Sequence, residues 1–196
     1  MITDKEIRYL TVPKLDVRTQ DDGTMSIGGY VVKWDQRSGL IWGEFYERVA
    51  KGAFAKSLEE NTIKALWNHR MDYVLGSNNN KTLRLEEDSA GLRFEIDLPN
   101  NSWGKDAYES ISRGDVDGVS FGFNVRSDSW QYIKDEDIYE RTLLDVDLRE
   151  VSPTPFPAYP DSKVAKRSLE DLGVVPKEQR KLEKEKLLME LDLLNI

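Results

Sequence analysis

Cysteine is absent from the 196 residues. The chain therefore has no disulfide framework, no thiolate metal site and no cysteine nucleophile. Histidine occurs once, as His69, which excludes a site built on two histidine ligands from one chain. No uninterrupted apolar run approaches the roughly 18 residues of a membrane span. The opening segment, MITDKEIRYL, carries Asp4 and Glu6 and has no apolar stretch, so it does not read as a secretory signal. The expectation is a soluble, intracellular, non-secreted protein. Basic charge is also in short supply: 28 Lys and Arg face 36 Asp and Glu, for a net charge of −8. The shortfall lies in residues 1–162, which carry −9, whereas residues 163–196 carry +1. An acidic body argues against sequence-independent nucleic-acid binding, which needs a basic surface.

Apolar material is sufficient for a core. Hydrophobic residues make up 39%, with five Trp, eight Tyr and six Phe. Strand-like runs dominate: 6–12, 25–34, 82–87, 92–98, 117–130 and 138–151. The runs TLRLEE and LRFEIDL alternate apolar and polar residues around Asp88-Ser89-Ala90-Gly91, a hairpin signature. Gly28 and Gly29 interrupt the run 25–34, predicting a bulge or bend there. Helices are expected over 53–61 and over 103–113, the second capped by Ser102 and stopped by Gly114. Proline fills four of the ten positions 152–161, the most boundary-like stretch of the chain. Beyond it, Ser162 begins a helical tail interrupted at Gly173 and Pro176. In that tail Leu187, Leu191 and Leu194 form one stripe. The stripe suits either packing on the body or docking to a partner.

These elements predict an α+β, mainly β fold. The expected form is a small closed or nearly closed β-barrel at 1–161 flanked by a few helices, with a helical appendage at 162–196. A sandwich is the alternative.

Two segments stand out chemically. In IKALWNHR, residues 63–70, an apolar–polar alternation reads as a strand ending at His69. A lone strand-end histidine is most often a bystander, yet an imidazole is also the natural general base near neutral pH. In Gly118-Val119-Ser120-Phe121-Gly122-Phe123 the strand period puts Val119, Phe121 and Phe123 on one face, and Ser120 on the other between two glycines. That bare face suits close packing or a nucleophile with room for a substrate backbone. A serine–histidine pair needs a third group to orient the ring. Glu150, at the end of a strand-like run in LREVSPTPFPAYP, is the leading candidate, with Asp72, Asp115 and Asp117 competing.

The segments GYVVKW (29–34), ERVAKGAFAKSL (47–58), ALWNHRMDYVLG (65–76), TLRLEEDSAGLRFEIDLP (82–99), SRGDVDGVSFGFNV (112–125) and LREVSPTPFPAYPD (148–161) occur in this order. Together they resemble the prohead maturation proteases of tailed bacteriophages over roughly residues 25–161. The resemblance implies a serine endopeptidase acting inside the immature capsid, in the host cytoplasm, with a fold like that of the herpesvirus assembly proteases. By family pattern the Asn-His motif falls on His69, the Ser-Phe-Gly-Phe motif on Ser120 and the Glu-Val-Ser-Pro motif on Glu150. The herpesvirus relatives use a second histidine as third member, which this chain lacks. The implied partners are the major capsid protein or its scaffold-like segment, and the protease itself through self-cleavage; a dimer is the implied assembly to test. No cofactor, metal or membrane is implied. Oxyanion donors are sought at the backbone of Gly122 or Arg149, or at the Arg126 side chain. The competing reading is a non-enzymatic capsid assembly or scaffold protein that docks through its C-terminal helix.

Overall fold

The computed structural model describes residues 6–11, 15–41 and 43–155, together with Lys186. In chain order the elements are β1 (Glu6–Thr11), β2 (Asp16–Thr19), β3 (Met25–Lys33), β4 (Phe45–Val49), α1 (Ala55–Glu60), β5 (Lys64–Trp67), β6 (Arg70–Ser77), β7 (Leu83–Glu87), β8 (Gly91–Asp97), α2 (Ser102–Arg113), β9 (Gly118–Ile133) and β10 (Ile138–Thr154). The protein is mainly β with few helices, as the alternating runs predict. Apart from Lys186, the predicted 162–196 appendage lies outside the described residues, as does most of the proline-rich stretch.

Two sheets share the strands. One runs β1-β9-β10-β5-β6, with β4 also paired to β10; the other runs β2-β3-β8-β7. The first sheet curls into a half-barrel. Among the described residues no ladder joins the two sheets, so the hydrogen bonding forms a half-barrel facing a second sheet and not a closed ring. The inner faces share one core. Phe121, Phe123, Leu148 and Val151 come from the first sheet, Ile27, Leu92, Phe94 and Ile96 from the second, and Ala107 and Ile111 from α2.

The longest hairpin, β9–β10, organises the first sheet. One side of β10 is paired along its whole length with β9. The other side is shared: β4 runs parallel to Tyr139–Leu143 and β5 parallel to Glu150–Val151. In the gap between them the segment at α1 does a strand's work. The Val146 N–H donates to the Ala53 carbonyl at 2.9 Å. The buried Ser57 hydroxyl donates to the Val146 carbonyl and accepts from the Leu148 N–H at 2.9 Å. Buried backbone groups are thus satisfied where no strand passes.

Local details refine the sequence expectations. The bulge predicted at Gly28 and Gly29 falls at Val31, where the β3–β8 register shifts between Tyr30 and Val32. The extra residue lets Val31 and Val32 both enter the core. The N-cap of α2 is Asn101, not Ser102: its side chain accepts from the Gly104 N–H at 2.9 Å. Gly114 ends the helix in the left-handed region, φ 80°, as its glycine predicts. The 63–70 segment stops being a strand at Trp67. Strand β6, which follows at once, had no separate signal in the sequence reading, nor had β2 or β4.

A buried charge network anchors β1 against β4, β9 and β10. The Arg8 guanidinium meets Glu6 and Glu47, each at 2.5 Å. Arg141 reaches Glu6 at 3.0 Å, Glu47 at 3.1 Å and Asp128 at 2.6 Å. Burial alone would raise the Glu6 carboxyl, but the charges of Arg8 and Arg141 and their hydrogen bonds outweigh it and hold it below the usual range. Burial likewise works against the charged Arg8, and the Glu47 and Glu6 carboxylates overcome it.

Candidate active site

Strands β5 and β6 are joined by a two-residue turn, Asn68-His69, with Trp67 paired to Arg70 across it. Both turn residues have positive φ, 50° and 60°. Two consecutive left-handed residues are what the type I′ hairpin turn demands, and its twist matches that of the flanking strands. Asn and His are among the non-glycine residues that tolerate this region. His69 therefore sits in a tight turn and not at a strand end, and the turn fixes its backbone.

The other wall of the site is the end of β10. Leu148 pairs with Phe123 and Glu150 with Gly122, leaving Arg149 unpaired as the extra residue of a bulge. Without it, Glu150 would follow Leu148 onto the core face, since residues two apart point the same way. With it, Leu148 and Val151 stay in the core while Glu150 and Ser152 turn to the opposite face, beside Gly122 and Ser120. Gly122 has no side chain, so the carboxylate meets no cross-strand group from β9 at that position.

Glu150 and His69 meet there. His69 Nδ1 lies 2.8 Å from Glu150 Oε1. The second carboxylate oxygen accepts from the Ser152 hydroxyl at 2.5 Å. With both oxygens accepting, the Nδ1–H donates, which in a neutral ring puts the lone pair on Nε2. Nε2 is buried and has no hydrogen-bond partner among the described residues. An imidazole held through Nδ1, with Nε2 left without a partner among the described residues, is an arrangement able to accept a proton.

Ser120 stands on β9 directly opposite Ser152, with Tyr9 of β1 opposite it on the other side. It is fully buried, and its hydroxyl donates to the Arg8 carbonyl at 2.8 Å. Ser120 and the His69 turn thus belong to strands two apart in the sheet, about 10 Å between backbones, flanking the Glu150–Ser152 segment. Among the described residues no hydrogen bond joins Ser120 to His69.

The competing acids are elsewhere. Asp72 pairs with Arg70 at 2.7 Å and Asp115 with Arg113 at 3.1 Å, and both are exposed, as is Asp117. Arg126 lies 3.4 Å from Glu60 and 3.5 Å from Asp147, among acids. The described residues hold no cluster of metal-ligating side chains. Sequence reasoning missed Ser152, and with it Thr154, whose hydroxyl bonds the Asn68 amide oxygen at 2.7 Å. The signal was present: Glu150, Ser152 and Thr154 alternate, polar at every second position.

A histidine–carboxylate pair beside a strand carrying a serine is a set of residue types that serine hydrolases use on unrelated folds. The chain belongs to the caudovirus prohead serine protease family, whose family description matches residues 13–174. No curated protein and no solved structure gives a significant match. Membership makes the chain a serine peptidase of bacteriophage capsid maturation, and it sets aside the non-enzymatic assembly reading.

Proposed function

We propose that Ser120, His69 and Glu150 are the nucleophile, base and orienting acid of this peptidase, and that its substrate is the scaffold-like segment of the major capsid protein. The observation that carries the reading is the 2.8 Å contact between His69 Nδ1 and Glu150 Oε1, with Nε2 left unengaged. In the first step the Ser120 hydroxyl exchanges the Arg8 carbonyl for Nε2. The proton passes to Nε2 as Oγ attacks the peptide carbonyl, and Glu150 stabilises the imidazolium. Nε2 then returns the proton to the departing amine, leaving an acyl-enzyme. Water, deprotonated by the same nitrogen, releases the acid and restores Ser120.

The substrate binds as an extended strand, added to an open sheet edge. Among the described residues β6 ends the first sheet, begins at the residue after His69 and exposes Met71 and Val74, although the Val74 carbonyl already accepts from the Trp103 indole N–H at 3.2 Å. The site of action is the inside of the prohead, and the enzyme also cleaves itself between the 1–161 domain and the 162–196 tail, working as a dimer. Here the tail serves to bring the enzyme into the growing shell.

The test is cleavage of the co-expressed capsid protein, with fluorophosphonate labelling as a substrate-free check. Ser120→Ala and His69→Ala should abolish both. Near wild-type cleavage by either variant overturns the assignment. Removing 166–196 should abolish incorporation into proheads and spare labelling; normal incorporation rejects the docking role.

A further inference from the structure

We propose that Ser152 is a positioning residue that holds Glu150 against His69, an inference that rests on the catalytic reading above. Three alternate residues of β10 face the Asn68-His69 turn, and each is tied to it. Glu150 takes the His69 ring at 2.8 Å, and Thr154 takes the Asn68 side chain at 2.7 Å. Between them, the Ser152 oxygen accepts from the His69 backbone N–H at 3.3 Å while its hydrogen goes to Glu150 Oε2 at 2.5 Å. The Asn68 N–H closes the set on the Pro153 carbonyl at 3.1 Å. Ser152 is the member that touches both the carboxylate and the backbone of the histidine.

Its chemistry suits the task. The terminal torsion of a carboxylate is broad and weakly restrained. A second donor on Oε2 fixes the plane, so the Oε1 lone pair stays aimed at Nδ1 and the ring keeps its tautomer. Ser152 is fully buried and Glu150 almost so, so no water substitutes for the missing donor without new space. The serine also stands directly opposite Ser120 in the ladder. One cross-strand pair therefore places the nucleophile on β9 and the support of its base on β10.

The experiment uses the full chain and two readouts. His69 is the sole histidine, so its Nδ1–H gives one imidazole resonance in NMR without overlap. The second readout is the rate of fluorophosphonate labelling at Ser120, in wild type, Ser152→Ala, the near-isosteric Ser152→Cys with its weak S–H donor, and each change combined with Glu150→Gln. Expected are a downfield Nδ1–H signal in wild type, its loss to solvent exchange in both single variants, and a labelling rate lowered at least tenfold. In the Glu150→Gln background the same changes should alter labelling less than twofold, because Ser152 acts through the carboxylate. A sharp Nδ1–H signal in Ser152→Cys, or an equal loss in both backgrounds, overturns the proposal. Should Ser120→Ala label as fast as wild type while the imidazole signal still depends on Ser152, the catalytic reading falls and the support of Glu150 by Ser152 stands.

Discussion

Replacing Glu150 by Gln removes one charge and almost no volume. The carboxylate sits 2.8 Å from His69 Nδ1 and is nearly buried. In the proposed transition state the ring is an imidazolium. A unit charge pair at that separation is worth about 6 kcal/mol at an effective dielectric constant of about 20. The amide retains part of this as a dipole only if its oxygen faces the ring. If its NH2 faces Nδ1, the tautomer is wrong and Nε2 holds a hydrogen instead of a lone pair. Either way the barrier should rise by about 4–5 kcal/mol, which is about 10³- to 10⁴-fold in rate. The amide for acid exchange in a characterised serine protease triad costs about 10⁴-fold. Stability should change by no more than about 1 kcal/mol, because losing charge-assisted hydrogen bonds is offset by burying a neutral group. The assay is the rate of fluorophosphonate labelling at Ser120, with a denaturant melt to confirm folding. A folded Glu150→Gln variant labelled within threefold of wild type refutes the role of Glu150.

Two further predictions concern the buried charges that hold β1. Arg141→Met should destabilise the fold by about 3–5 kcal/mol, read as a lowered denaturant midpoint, because it leaves the Glu6 and Glu47 carboxylates buried with Arg8 as their remaining guanidinium partner; an unchanged midpoint refutes the network. The depressed Glu6 carboxyl fixes the sign of the acid response. A carboxyl held below its unfolded value contributes stability that is complete above the ordinary glutamate range, about 4.3, and that is lost as pH falls through the folded value. Denaturant midpoints should therefore drop on acidification, and Glu6→Gln should flatten that slope; an identical slope in the variant refutes the assignment.

Much of the site was legible because its signals are local. The glycines around Ser120, the lone His69 and the polar alternation after Arg149 follow from side-chain period and residue chemistry alone. The hairpin at Asp88–Gly91 and the stop at Gly114 are legible for the same reason, since turns and caps depend on a few neighbouring residues. The type I′ turn at Asn68-His69 gives a weak signal because neither residue is glycine, and the alternation before it reads as a strand ending at His69. Strands β2 and β4 escaped because short strands owe their conformation to partners far along the chain.

What the sequence determined by itself was therefore the chemistry on offer: one imidazole, one serine on a bare strand face, and an acid-rich chain from which cysteine is missing. Only tertiary structure decided which acid the imidazole receives. The choice turns on a single unpaired residue, Arg149, because an extra residue in a strand of period two reverses every side chain that follows it. That reversal takes Glu150 out of the core and sets it against a histidine 81 positions away. No local preference encodes this, since the register of β10 is set jointly by its pairing with β9 and β5 and by the core contacts of Leu148 and Val151.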